Sequence, residues 1–311
     1  MWCQKVPGHP VGPQAVEVTP PEAPAAPPPP GGAPSGPAKP VPQVPANGAP
    51  IVRWPAEAIW EQLARLLPGF TVEVLPQIDS TNSELMRRAR AGQTEPTLLV
   101  AEAQTAGRGR MGRAWSSEAA TSLTFSLGLP LTPQDWSGLS LAVGVAVAEA
   151  LHPDVYLKWP NDLWLGDRKL AGILVETAAV NVAVSAGDAH TRQAIIGIGI
   201  NIGPRSGDGL KTPPAWLQEL IPGADAPLAL QRVALPLVQA VLRFATDGFA
   251  PFAERYAARD LLRGRHVTLS DGRNGAACGV TASGALLVHT SSGMEQITSS
   301  EVSVRPAAMG A

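Results

Sequence analysis

Apolar residues recur at helical or strand spacing from Trp54 onward, while the fifty residues before it carry almost no periodic apolar pattern. In PAEAIWEQLARLL, Pro55 suits a first helical turn and Ile59, Leu63 and Leu66 share one face, which predicts a helix. STNSELMRRARAG predicts a second, with Thr81 and Glu84 in capping-box spacing and Gly92 as a stop. TLLVAEAQ reads as a strand leading into the loop GRGRMGR, residues 107–113. Beyond it, TSLTFSLGL alternates Leu123, Phe125, Leu127 and Leu129 with small polar residues, the pattern of a half-buried strand. LSLAVGVAVAEALH is apolar nearly all round and predicts a buried helix. VYLKW, LAGILVETAAV and AIIGIGINIG follow as strands, with a polar gap at 185–193 as the turn between the last two. Helical patterns resume from about 228 to 262. The last 45 or so residues (RHVTLS, AACGVTA, ALLVHT, MEQITS, VSVR) read as short strands of a separate small β-barrel.

Composition adds a boundary near residue 50. Residues 1–50 hold 16 of the 32 prolines, including PPPPGG at 27–32, and such a segment cannot bury enough surface to offset its ordering entropy. A disordered Pro/Ala/Gly-rich tail is the expectation; a docking site for a partner, or a translation start downstream of it, stays open. The remainder of the 311 residues suffices for one large and one small domain, at 51–263 and 264–311. A net charge of −2 argues against broad binding to nucleic acid or anionic membranes. Cys3 and Cys278 lack metal-ligand spacing, the five histidines are scattered, and a reducing cytoplasm is the simplest compartment. No apolar run approaches the roughly 20 residues that cross a bilayer, and MWCQKVPGHPVG does not resemble a signal peptide.

Gly107, Gly109 and Gly112 satisfy the G-x-G-x-x-G pattern, which has three readings. A dinucleotide fingerprint needs a helix after the glycines, but AWSSEAATSLTFSLGL is irregular and then extended. An RNA-binding loop is poorly served by one basic cluster and a single nearby aromatic, Trp115. An anion clamp fits best: glycines let the backbone approach a ligand, and Arg108, Arg110 and Arg113 supply charge-assisted hydrogen bonds of about 1.5 to 3 kcal/mol each. For the loop alone, solvated arginines remain an alternative.

In KWPNDLWLGDRKLAGILVE, residues 158–176, Pro160, Asn161 and Asp162 favour a turn, and Gly166 and Asp167 a second one. The hairpin gathers Lys158, Lys169 and Asp162. Leu170, Ile173 and Leu174 around Gly172 suggest that one side is buried, where a lysine needs an anionic partner.

The ordered set DSTNSEL (79–85), QTAGRGRMGRAW (104–115), KWPNDLWLGDRKLAGILVE (158–176) and GIGINI (197–202) closely resembles the biotin protein ligases. The resemblance implies an α+β fold: a mixed β-sheet catalytic domain flanked by helices, of the class II synthetase-like biotin/lipoate ligase type, with a small C-terminal Src-homology-3-like β-barrel domain. It also implies a two-step, ATP-dependent reaction with Mg2+. Biotin is activated as biotinyl-5'-AMP and then transferred to a lysine of the biotin carboxyl carrier protein of acetyl-CoA carboxylase.

Carried over residue by residue, Lys169 would stabilise charge at the biotin carboxylate and α-phosphate, and Arg108 and Arg110 would close over biotin and phosphates, with Gly107 and Gly109 letting the loop fold down. Ser80, Thr81, Asn82 and Gln104 would hold biotin, together with Gly107, Arg108, Lys169 and Gly172. Arg110, Arg113, Trp115, Lys158, Asn161, Asp162 and Asn201 would hold ATP and the adenylate, Trp115 stacking near the adenine, Asn201 bonding its edge and Asp162 touching the metal. Thr81 remains open as a plain helix cap. Some members carry an N-terminal DNA-binding winged helix; here the Pro-rich tail takes that place, so no DNA binding is expected. Pairing of two copies along exposed strand edges stays open. A lipoate or octanoate ligase of the same fold and a non-catalytic ligand-sensing regulator are the competing readings.

Overall fold

The computed structural model describes residues 52–179, 191–207, 212–298 and 305–306. They belong to one packed unit that begins at Ile51. The tail at 1–50 and the centre of the 185–193 turn lie outside the described residues. Helix α1 (Ala56–Leu63) buries Ile59 and Leu63 as expected. It stops at Leu63, so Leu66 turns to solvent and Leu67 takes the core position instead. Strand β1 (Thr71–Ile78) has no clear alternation and contains Pro76, and the sequence reading passed over it. It is an edge strand, where a residue without an N–H is tolerated.

Helix α2 (Thr81–Arg90) is capped by Ser80, not Thr81: Ser80 Oγ accepts the Ser83 N–H at 3.4 Å. Glu84 completes no capping box, because its carboxylate binds Arg87 and Arg88. β2 (Thr97–Gln104) enters the glycine loop, followed by β3 (Ser122–Leu131), α3 (Leu139–Leu151), β4 (Tyr156–Lys158), β5 (Asp162–Leu165), β6 (Arg168–Ala179) and β7 (Arg192–Asn201). Because β7 begins at Arg192, the last two positions of the expected turn are strand. The expected helix at 228–262 is α4 (Ala226–Asp247), broken at Gly248, then a 3-10 turn and α5 (Ala253–Ala257). By length and composition α4 is apolar enough to cross a membrane, yet half of its apolar window is buried and it packs on α3.

The large sheet runs β1-β2-β3-β7-β6-β5-β4. Only β1 and β2 are parallel, joined by a crossover through α2. Alternation along β3 and β7 gives the sheet two faces. Leu123, Phe125 and Leu127 with Ile196, Ile198 and Ile200 join α1, α3 and α4 in the main core. Ser122, Thr124 and Ser126 point to the other face and are also buried, so β3 is not half-buried as its pattern predicted; α2 covers the polar side. The second sheet, β11-β10-β9-β8-β12, is antiparallel and built from β8 (His266–Thr268), β9 (Asn274–Val280), β10 (Leu286–Thr290), β11 (Gly293–Ile297) and β12 (Arg305–Pro306). Val267, Leu269, Ala277, Leu286, Val288 and Ile297 belong to the same apolar cluster as the large sheet.

Candidate active site

The polar face of the large sheet is floored by two rows centred on glycines. Register places Ser126 beside Gly197 and Gly197 beside Leu174; one row on, Thr124 lies beside Gly199 and Gly199 beside Gly172. A Cβ at Gly197 would overlap the Asn82 amide, and one at Gly199 the Trp115 indole. Those two glycines are what lets Asn82 and Trp115 lie flat against the sheet. Over this floor opens a cavity of about 180 Å³.

The N-terminus of α2 builds one end. Arg87 binds both oxygens of Asp79, at 2.7 and 2.9 Å, and Asp79 accepts the Ser80 N–H at 2.7 Å. The Arg87 hydrogen bonds hold the Asp79 carboxyl at about 2. Gln104 Oε1 accepts from the Thr81 N–H at 2.7 Å and from its hydroxyl at 3.2 Å. Ser126 Oγ lies 2.7 Å from Thr81 Oγ1 and donates to Asn82 Oδ1 at 2.6 Å. Asn82 Nδ2 donates to the Leu174 carbonyl at 3.2 Å and to Glu176 Oε2 at 2.9 Å. The side chains of this end that line the cavity (Ser80, Thr81, Asn82 and Gln104) are uncharged and supply both donors and acceptors, the first three buried.

The glycine loop and the 158–176 hairpin build the other end. The loop is a closed miniature hairpin: Gly109 donates to the Arg113 carbonyl at 2.7 Å and Trp115 to the Gly107 carbonyl at 2.8 Å. Met111 sits exposed at its tip with φ of 55°. Arg110 donates to Asn161 Oδ1 at 3.1 Å, and burial pulls its guanidinium below the ordinary value while Asp162 opposes that shift. Lys169 Nζ meets Asp162 at 2.8 Å and lies 5.8 Å from the Trp115 ring centre. This is the anionic partner that the hairpin pattern demanded. Lys158 lies over Trp164. Five cationic side chains (Arg108, Arg110, Arg113, Lys158 and Lys169) and one carboxylate, Asp162, line the cavity. Such an excess attracts a ligand carrying more than one negative charge.

Ser80, Thr81, Asn82, Gln104, Gly109, Trp115, Asn161 and Gly172 also reach the cavity. Gly107 and Asn201 do not line it. Asn201 donates to the carbonyls of Lys169 at 3.1 Å and Ala215 at 2.9 Å, and accepts from Arg205 at 2.6 Å. It therefore braces the backbone of Lys169. Ser126, Glu176 and Arg205 were not singled out from the sequence. For Ser126 the signal was available in the polar positions of β3, and Glu176 ends the quoted hairpin motif. Among the described residues no Cys or His lines the cavity. Among the described residues no cluster of three or more His, Cys, Asp or Glu could hold a metal ion.

Residues 74–201 match the Biotin/lipoate A/B protein ligase family, and residues 264–305 match the Biotin protein ligase C terminal domain. The bifunctional ligase/repressor BirA of Escherichia coli (strain K12) is 36% identical over 259 residues, covering 79% of this chain and 78% of that protein. The chain belongs to the biotin protein ligase family. A biotin--[acetyl-CoA-carboxylase] ligase of Paracoccus denitrificans is 30% identical over 247 residues, 74% of this chain and 98% of that ligase. A solved biotin protein ligase from Aquifex aeolicus, in complex with biotin and ATP, superposes with a TM-score of 0.64 at 30% identity, covering 76% of this chain and 99% of that one. The mixed sheet flanked by helices and the small C-terminal sheet are those of the biotin protein ligase fold.

Proposed function

We propose that this protein is an ATP-dependent biotin ligase that forms biotinyl-5'-AMP and transfers the biotinyl group to a lysine of a biotin carboxyl carrier protein, that of acetyl-CoA carboxylase. One observation carries the reading: a single cavity joins a pocket lined by uncharged hydrogen-bonding side chains to a cluster of five cations. Biotin matches this polarity, with a ureido ring at one end and a carboxylate at the other. Ser80, Thr81, Asn82 and Gln104 take the ring; Gly172, without a side chain, lets Lys169 and Trp115 lie close against the sheet where the acyl chain ends.

In the first step a carboxylate oxygen attacks the α-phosphorus and pyrophosphate leaves. Two anions must approach, so the site's contribution is fixed positive charge in place and no covalent chemistry by the protein. Lys169, held by Asp162, faces the carboxylate and α-phosphate; Arg108 and Arg110 clamp them, while Arg113 and Lys158 take the remaining phosphates. Trp115 offers a face to the adenine. In the second step the carrier amine attacks the acyl carbon, AMP leaves, and the amine loses its proton. Asp162, which shares its carboxylate with Lys169, is the one side chain of the 158–162 turn that would hold Mg2+, with phosphates and water as its other partners, while Asn161 Oδ1 is taken by Arg110. When bound, that ion supplies charge neutralisation on the triphosphate.

The polar lining of Ser80, Thr81, Asn82 and Gln104 favours a ligand ring with its own donors and acceptors over the less polar lipoate or octanoate. The division into a catalytic domain at 51–263 and a Src-homology-3-like domain at 264–311 belongs to this proposal, as does a cytoplasmic location beside the carrier. The test is pyrophosphate release from ATP and Mg2+ with biotin, lipoate or octanoate. Biotin-dependent release is expected; release with lipoate alone would move the protein to the sister activity, and silence with all three would leave a sensor.

A further inference from the structure

Arg108 stands on the glycine loop, yet its guanidinium turns away from the loop and onto the sheet. Its N–H groups bind Glu176 in a fork, at 3.1 and 2.8 Å, and its Nε–H donates to Ser83 Oγ at 2.9 Å. Glu176 stands on β6 outside the cavity lining and touches no position assigned to a reacting atom. The same carboxylate accepts the Asn82 amide, which holds Ser126, which in turn lies against Thr81 and Gln104. One hydrogen-bonded chain thus runs from the anion-clamping loop to the floor of the neutral pocket.

Resting on the biotin-ligase reading above, we propose that Glu176 is a positioning residue that ties the glycine loop to the ring-binding floor, so that Arg108 is in place before the biotin carboxylate arrives. A forked carboxylate–guanidinium pair fixes both distance and plane, which a lone loop arginine lacks. With 40% of the Arg108 side chain and 25% of the Glu176 side chain exposed, the pair is open enough for the loop to leave. The link through Asn82 makes the loop and floor a coupled unit, in which a ligand ordering one orders the other.

The test uses the full-length protein and three readouts. In ligand-free Glu176→Gln, trypsin should cut within 107–113 roughly tenfold faster than in the wild type, because loss of the charge weakens the tie. The KM for biotin in pyrophosphate release should rise roughly tenfold, with kcat lowered less. Glu176→Asp, which keeps the charge on a shorter arm, should restore part of both. The double variant Arg108→Ala with Glu176→Gln should be no worse than Arg108→Ala alone, as for two members of one interaction. Unchanged loop cleavage in Glu176→Gln, or losses that add in the double variant, would overturn the proposal. An equal fall in kcat and thermal midpoint with KM unchanged would likewise make Glu176 a purely structural residue. If the wild type releases no pyrophosphate with biotin, the functional reading fails, while loop cleavage still decides whether Glu176 holds Arg108.

Discussion

The two faces of β3 and β7 are made by the same strands and serve opposite ends. One face carries Leu123, Phe125, Leu127, Ile196, Ile198 and Ile200 into a continuous apolar core. The other carries Thr124, Ser126, Gly197 and Gly199, which hold little apolar surface and support Asn82 and Trp115. Burial is nearly complete on both, so burial alone does not distinguish stability from function. What differs is how the buried atoms are satisfied: by dispersion contacts throughout on the core face, and on the other by a hydrogen-bonded network open to a ligand beside a smaller apolar cluster of Leu85, Met86, Leu99 and Ile195.

Four substitutions and one titration probe that contrast, in descending order of effect. Lys169→Ala should slow biotin-dependent pyrophosphate release by about 10²–10³-fold, since it removes one fixed cation from developing charge. Its thermal midpoint should fall less than that of a core truncation, since Lys169 is only partly buried although its loss leaves Asp162 without its partner; near-normal adenylation would remove Lys169 from its role. Leu127→Ala, on the core face, should do the reverse, costing about 3 kcal/mol in denaturant unfolding while the folded fraction keeps its turnover. A loss of turnover beyond the loss of folded protein would show that the faces are not separable. Gly199→Ala should displace Trp115 and raise the KM for ATP roughly tenfold, with a smaller stability loss than Leu127→Ala. Ser126→Ala should weaken biotin binding by about fivefold in titration calorimetry, through loss of one buried hydrogen bond.

The smallest effect concerns Asp79. Its folded value of about 2 lies below the ordinary 3.8, so its contribution is fully present above 3.8 and is lost as pH falls towards about 2. Being largely exposed, the pair with Arg87 contributes at most about 1 kcal/mol. Asp79→Asn should flatten the acid limb of the stability curve by that amount; an unaltered limb would mean that the pair contributes nothing.

Most of the order of elements was legible because long apolar periods decide it, as in α3, β6 and β7. β1 was not, since its packing on β2 overrides the poor local signal of TVEVLPQI. Nor was the cap of α2, where Ser80 and Thr81 are both competent and only backbone geometry chooses. At the site, charge and glycine content pointed to the loop and hairpin, and the structure gathers them around one cavity. Partner choice was hidden: that Lys169 takes Asp162, that Arg108 takes Glu176, and that Asn201 faces the Lys169 backbone all depend on the twist and register of β5, β6 and β7.

The apolar cluster crosses from the seven-stranded sheet into the five-stranded one without a gap, and the Trp159 indole donates to the Gly284 carbonyl at 3.0 Å. Packing therefore crosses the boundary proposed at 264. Removing the small sheet would leave the Trp159 indole without the Gly284 carbonyl, and heating the intact protein should melt both sheets in one cooperative transition. The turn that carries Trp159, Asn161 and Asp162 is tied by a hydrogen bond to a sheet that, among the described residues, contributes no charged group to the cavity it serves.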